Sequence, residues 1–133
     1  MTITRRHATP GSCLIAGSLL LVCVIATVGL VAQSKRDVGV TAVRYQFRIS
    51  GSDRAEIQVA QGDLVRITLT SEDIPHSFTL PDYRIQKRVE PGRDVTFDFR
   101  AEKPGRFEFH CSLTSDNCRE RGMTGVLIVS AKQ

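Results

Sequence analysis

The sequence lacks several of the residue patterns on which enzyme active sites depend. Its 133 residues include no tryptophan, three histidines and four cysteines. No Ser-His-Asp or Cys-His arrangement is visible, because His76, the one histidine expected to face a core, has no acid placed to orient it. The sequence therefore argues against a hydrolase.

The part of the chain that is predicted to fold also lacks an excess of charge of either sign. The formal net charge of +4 is supplied by Arg5, Arg6, Lys35 and Arg36. Without these four, 14 of the 18 Lys and Arg residues remain against 14 Asp and Glu. No nucleic-acid partner is expected, because a surface that binds phosphates needs a local surplus of cations.

Long hydrophobic runs are absent except for one near the N-terminus. Residues 12–33 contain no charged side chain and are long enough to cross a bilayer. They predict a transmembrane signal-anchor helix, with a short N-terminal tail over residues 1–11 and a linker over residues 34–40. Cys13 and Cys23 lie in this run and are assigned no chemistry, since a thiol there behaves as a small apolar group.

A cleavable signal peptide is the competing interpretation of the same segment. Arg5 and Arg6 fit an n-region, but the apolar run is longer than an h-region and Leu30-Val31-Ala32 makes a poor cleavage site. Cations flank both ends of the run, so they do not orient it. The short N-terminus favours a single-pass protein of the cytoplasmic membrane, with its C-terminal domain on the extracytoplasmic (periplasmic) side.

Residues 41–133 change character and predict one all-β domain. Short β-branched and aromatic runs are separated by turn residues every eight to twelve positions, the pattern of a sandwich or barrel. The candidate strands are 41–49, 55–59, 64–70, 76–80, 84–89, 94–100, 106–111 and 125–129.

Alternation within these strands predicts which side chains face the core. His76 is in phase with Phe78, and Cys111 is in phase with Phe109, so both are expected to point inward. His110 is one residue out of phase and is expected to lie exposed on the outer face.

A soft-metal ligand set can be assembled from this pattern. His76, then Cys111, a short loop and Met123 follow the order in which copper sites take imidazole, thiolate and a weak thioether. Taken alone, an inward histidine such as His76 is more often a buried residue bonded to a backbone carbonyl than a ligand, and Met123 is core filler. The charged residues of the loop, from Asp116 to Arg121, are most simply a solvated segment.

Four stretches resemble the copper domain of cytochrome c oxidase subunit II. They are SEDIPHSF at 71–78, VEPGR at 89–93, KPGRF at 103–107 and Cys111-Ser112. The resemblance extends over roughly residues 41–130. It implies a Greek-key cupredoxin-like β-sandwich, copper as cofactor, electron transfer, an extracytoplasmic location, and a respiratory oxidase or another redox protein as partner.

The candidate ligand loop departs from the family pattern. The binuclear copper centre of subunit II uses Cys-x3-Cys-x3-His-x2-Met, whereas six residues separate Cys111 from Cys118 and no histidine follows. Mononuclear relatives use Cys-x4-His-x4-Met, and Cys118 stands at that histidine's distance from Met123.

Two outcomes remain open for the two cysteines. With His76 and Met123, the Cys111 and Cys118 thiolates can hold one copper ion, more readily than two, for electron transfer or for copper delivery as a chaperone, and thiolate-rich coordination also suits zinc. Alternatively, the two cysteines form a disulfide across a short loop in an oxidising compartment, which leaves a metal-free structural or interaction domain.

Overall fold

The structure is a computed structural model that describes residues 33–133. The predicted tail over residues 1–11 and nearly all of the predicted anchor over 12–33, with Cys13 and Cys23, lie outside the described residues. Within residues 33–133, no helix is long and apolar enough to span a bilayer.

Nine strands and one 3-10 turn make up the described domain. They are β1 Lys35–Val43, β2 Gln46–Ile49, β3 Glu56–Ala60, β4 Leu64–Ser71, β5 His76–Leu80, the turn Pro81–Tyr83, β6 Ile85–Val89, β7 Val95–Arg100, β8 Gly105–His110 and β9 Thr124–Ser130. The prediction of an all-β domain is confirmed, and β5 has the predicted bounds.

The strands form two sheets that enclose the core. One sheet has the order β2-β1-β4-β7 and the other β3-β9-β8-β5-β6. The pairs β1 with β4 and β3 with β9 are parallel, and the other pairs are antiparallel. Each sheet presents one face to the other, as in a β-sandwich.

The structure corrects the predicted linker and first strand. Residues 34–40 form most of β1 instead of a linker, because β1 pairs with β4 from Lys35 onward. The predicted strand 41–49 is a hairpin in which Val43 pairs with Gln46. The turn shifts the buried positions from even numbers, at Val40 and Ala42, to odd numbers in β2.

Three phenylalanines form the centre of the core. The rings of Phe78 and Phe109 stack at 4.7 Å between centroids, and Phe47 packs edge-on against both. Gly125 lies beneath Phe109, where a Cβ atom would come within 2.2 Å of the ring. The core therefore requires glycine at that position of β9.

The two ends of the sandwich carry different parts of the chain. At the entry pole, Lys35, Leu64 and Arg100 lie side by side in one sheet, and the amide of Gln61 donates to Ser130 of the other. The entry pole comprises residues 33–37, 61–64, 81–84, 100–106 and 130–133. The site pole is the opposite end and comprises residues 44–46, 71–76, 90–94 and 111–123.

Candidate metal centre

His76 begins β5 and is fully buried, which confirms the predicted inward direction. Its Nε2 atom lies 2.7 Å from Oδ1 of Asp73. Its Nδ1 atom is enclosed and has no hydrogen-bond partner. A buried ring nitrogen without a partner is uncommon in proteins, so this atom calls for a chemical explanation.

Asp73 is the acid that orients His76, and the sequence-based expectation that no such acid exists was wrong. Its carboxylate also accepts hydrogen bonds from the amides of Ile74 at 2.7 Å and Arg44 at 2.9 Å. Burial by itself raises the pKa of Asp73, but these two amides and the His76 ring outweigh it and lower the pKa to about 2. The carboxylate is therefore ionised and accepts a hydrogen bond from the Nε2–H group; in the neutral form of the ring, this tautomer leaves the lone pair on Nδ1.

Cys111 and Cys118 are joined by a disulfide, with their Cα atoms 5.8 Å apart. Both residues are fully buried, so the predicted inward direction of Cys111 is confirmed. Of the two outcomes left open by the sequence, the structure contains the disulfide. In this form neither sulfur is a thiolate, and the two cannot act as thiolate ligands.

Met123 is also fully buried and lies beside both cysteines through the backbone. The amide of Cys111 donates to the carbonyl of Met123 at 3.1 Å, and the amide of Met123 donates to Cys118 at 3.0 Å. The hydroxyl of Ser77, the residue after His76, lies 3.8 Å from Sγ of Cys111. All four predicted ligands therefore belong to the site pole.

The oxidised arrangement does not by itself form a cluster of strong ligands. Among residues 33–133, no three His, Cys, Asp or Glu side chains converge in the way that holds a metal ion.

A hydroxyl network that the sequence reasoning missed holds the Cys111-Ser112 segment against β5. The amide of Ser112 donates to the hydroxyl of Ser77 at 2.7 Å, and the hydroxyl of Ser112 lies 2.8 Å from that of Thr79. Gln86 of β6 donates to the same Ser112 oxygen at 3.2 Å. The alternating hydroxyl residues Ser77 and Thr79 of β5 were the sequence signal from which this network could have been predicted.

His110 was predicted to be an exposed residue, and the structure corrects this. It lies on the outer face beside Glu108, but its exposed fraction is only 7%. The loop after β8 folds back over it, and Arg119 of that loop pairs with Glu108 at 3.4 Å. Burial lowers the pKa of His110, Arg119 lowers it further, and Glu108 opposes both.

The ligand loop is only partly the solvated segment that was predicted. Arg119, Glu120 and Arg121 are exposed, as expected. Asp116 is different, since both of its carboxylate oxygens are shielded from water and have no hydrogen-bond partner.

Comparison with known proteins assigns this chain to a family. The family model described as "Cupredoxin-like domain" matches residues 18–129. Nitrous-oxide reductase of Stutzerimonas stutzeri is 33% identical over 61 residues, which is 43% of this chain and 10% of that protein. Cytochrome c oxidase subunit 2 of Myxine glutinosa is 36% identical over 66 residues, which is 50% of this chain and 28% of that protein. The chain thus spans between a tenth and about a quarter of the length of these relatives.

Solved structures share the architecture. A heme-copper terminal oxidase dimer matches with a TM-score of 0.66 at 22% identity, over 74% of this chain and 66% of that chain. The periplasmic domain of subunit II of cytochrome oxidase of Bradyrhizobium japonicum matches with a TM-score of 0.63 at 19% identity, over 77% and 89%. A crystal structure of a mixed disulfide intermediate between a thioredoxin-like protein and subunit II of cytochrome c oxidase matches with a TM-score of 0.61 at 20% identity, over 78% and 88%. With a family model that covers most of its length and a sandwich of the same architecture, the chain belongs to the cupredoxin-like family, and its relatives include subunit II of the respiratory oxidases.

Proposed function

We propose that this chain is a membrane-anchored, extracytoplasmic copper-binding domain that exchanges electrons with a respiratory oxidase or another redox protein. The observation that carries the proposal is the buried, unpartnered Nδ1 atom of His76. The apolar run over residues 12–33 supports the anchor, and the relatives among oxidase subunits support the location and the partner.

The His76 ring has the features of a prepared ligand. Histidines that bind metals usually donate their other ring N–H to a carboxylate, which fixes the tautomer and the ring orientation. Asp73 occupies that position at 2.7 Å. Leaving a polar nitrogen buried without a partner costs free energy, and a bound metal ion removes that cost by accepting the lone pair.

The sulfurs fit copper only after the disulfide has been reduced. A dithiol reductant supplies two electrons and two protons, the bond between Cys111 and Cys118 breaks, two thiols form, and the reductant becomes a disulfide. The mixed disulfide between subunit II and a thioredoxin-like protein supports a reductant of this class. After reduction and loss of the thiol protons, Cys111, Cys118, His76 and Met123 offer the soft donors that favour copper. Copper bound there supplies one-electron redox chemistry.

A second candidate function follows from the disulfide itself. With Cys111 and Cys118 permanently joined, the chain is a metal-free structural or interaction domain whose loop is closed by a covalent bond. The buried His76 is then a packing residue held by Asp73. The two candidates differ in whether the reduced protein binds copper.

The test is a copper titration of the full chain in detergent, with Cys13 and Cys23 changed to serine so that only the domain sulfurs react. Two titratable thiols are expected after reduction and none before. Anaerobic Cu(I) should then bind to the reduced form only, in competition with a chelator. The oxidised copper complex should show strong thiolate-to-copper absorption.

Two matched variants complete the test. His76→Gln should weaken copper binding while leaving the thiol count unchanged, and Cys111→Ser with Cys118→Ser should abolish it. If the reduced protein holds copper no better than the double serine variant, the metal-free function is correct. Easy loss of Cu(I) to the chelator, without stable binding of both oxidation states, would instead indicate copper delivery.

A further inference from the structure

The entry pole contains an aromatic groove lined by charged side chains, with cations in excess by one. Tyr83 packs edge-on against Phe99 at 5.1 Å and against Phe107 at 5.4 Å between ring centroids. All three rings are only partly buried, and they line an open cavity of about 400 Å³. Five exposed charged side chains line the same cavity, three cations and two carboxylates: Arg84, Arg100, Lys103, Asp82 and Glu102. None of the residues that line the groove belongs to the candidate metal centre.

Charge separates the two poles of the domain. The entry pole, as defined above, holds seven Lys or Arg against four Asp or Glu, and one of those acids, Asp63, is buried. The site pole holds four Lys or Arg against six Asp or Glu. A domain that is nearly neutral as a whole is therefore positive at the entry pole and negative at the other.

The predicted membrane segment ends at this positive pole. The apolar run over residues 12–33 stops at Gln33, and β1 begins at Lys35 without a flexible linker. The chain is fixed there, because Arg100 donates to Gln33 at 3.4 Å and the amide of Leu64 donates to the carbonyl of Ser34 at 3.0 Å. The groove thus belongs to the end of the domain at which the described residues begin, directly after the predicted apolar run.

We propose that the entry pole rests on an anionic phospholipid surface. Arg84, Arg100 and Lys103 pair with headgroup phosphates, while Tyr83, Phe99 and Phe107 lie at the level of the headgroups, where aromatic side chains are enriched. The proposal depends on the anchor of the proposed function, and it leaves the site pole turned toward the aqueous phase.

The experiment measures backbone hydrogen exchange of the full chain in lipid nanodiscs. Discs of phosphatidylcholine alone are compared with discs that also contain phosphatidylglycerol. Amides in residues 81–84 and 100–106 should exchange several-fold more slowly in the anionic discs, whereas residues 111–123 should be unaffected. Each cation near an anionic surface strengthens binding by about fivefold. The variant Arg84→Gln with Lys103→Gln should therefore lose most of the protection. The control Arg54→Gln with Arg93→Gln removes two exposed cations from outside the pole and should keep it.

The outcomes separate this proposal from the function it depends on. Equal exchange of the groove segments in both kinds of disc, or protection confined to residues 111–123, would overturn the lipid contact and leave the anchor standing. A chain that is extracted from membranes by alkaline carbonate refutes the anchor and the lipid contact together, whatever its copper titration shows.

Discussion

Replacing Asp73 with asparagine tests whether this carboxylate positions the His76 ring. The carboxylate accepts three hydrogen bonds, from the His76 ring and from the amides of Ile74 and Arg44, at 2.7 to 2.9 Å. Asparagine has one acceptor oxygen in place of two, and its NH₂ group turns a donor toward an N–H group. At least one of the three bonds is therefore lost.

The size of the effect follows from the charge and the exposure of this residue. A hydrogen bond to a charged group contributes about 1.5–3 kcal/mol. Because the Asp73 side chain is 27% exposed, the lower end applies, and the metal-free oxidised protein should lose about 1.5 kcal/mol of unfolding free energy in urea. Copper affinity of the reduced protein should fall about 10- to 100-fold, as is usual when the carboxylate partner of a ligating histidine is removed.

Asp98→Asn is the matched control for this variant. Asp98 also accepts from a side chain, that of Arg66 at 2.8 Å, but it is exposed and is 22 positions along the chain from His76. It should cost less than about 1 kcal/mol and leave copper affinity unchanged. If Asp73→Asn behaves like this control in urea, the carboxylate does not hold the ring. Lost stability with unchanged copper affinity would restrict Asp73 to a structural role and contradict its positioning of a ligand.

Three further predictions concern stability. Hydrogen bonds from the Ser34 hydroxyl and the Ala60 amide hold the pKa of Asp63 below its ordinary value, against the effect of burial. The stabilisation that the ionised Asp63 carboxylate provides is present above about pH 4 and is lost as the pH falls further. The unfolding free energy of the wild type should therefore fall more between pH 5 and about pH 2 than that of Asp63→Asn. Parallel plots of unfolding free energy against pH would refute this role of Asp63. Gly125→Ala brings a Cβ atom within 2.7 Å of the Ala55 carbonyl as well as against Phe109, and should cost about 1–3 kcal/mol in chemical denaturation. Gly39→Ala, which meets only the rotatable Ser50 side chain, should cost clearly less, and equal losses would contradict the packing argument. Reducing the Cys111–Cys118 disulfide, which closes a loop with a sequence separation of 7, should lower the melting temperature and cost about 2 kcal/mol, and an unchanged melting temperature would show that the disulfide does not stabilise the fold.

Most of the strands could be predicted from the sequence, because the alternation of apolar and polar residues reports directly on which side chains are buried. In β4, the residues Val65, Ile67 and Leu69 alternate with Arg66 and Thr68, and the structure buries the first three completely. The inward directions of His76 and Cys111 followed from the same rule. The two-residue period of a strand is a local property of the sequence, so it can be recognised without knowing which strands pair.

The features that could not be predicted depend on contacts between segments that a local pattern does not report. Val43, Tyr45 and Phe47 continue one alternating pattern across a turn, so the pattern could not reveal the hairpin. Alternation assigns His110 to the outer face, but it does not report the loop that covers that face. The Asp73 contact with His76 arises because β5 starts immediately after a bend, which brings residues three apart into contact.

The choice between disulfide and thiolates could not be made from spacing. A sequence separation of seven permits either a bonded pair or two ligands of one ion, and spacing does not report the positions of the two cysteines in space. Those positions are set by the backbone bonds between Cys111, Met123 and Cys118, which no local pattern encodes.

The two cysteines of the disulfide differ in how firmly the strands hold them. Cys111 directly follows β8 and Met123 directly precedes β9, so the ladder between these neighbouring strands holds both even when the sulfur bridge is cut. Cys118 lies in the loop that connects these two strands. Reduction of the disulfide therefore frees only the segment between the two strands, and the rest of the sandwich keeps its strand pairing.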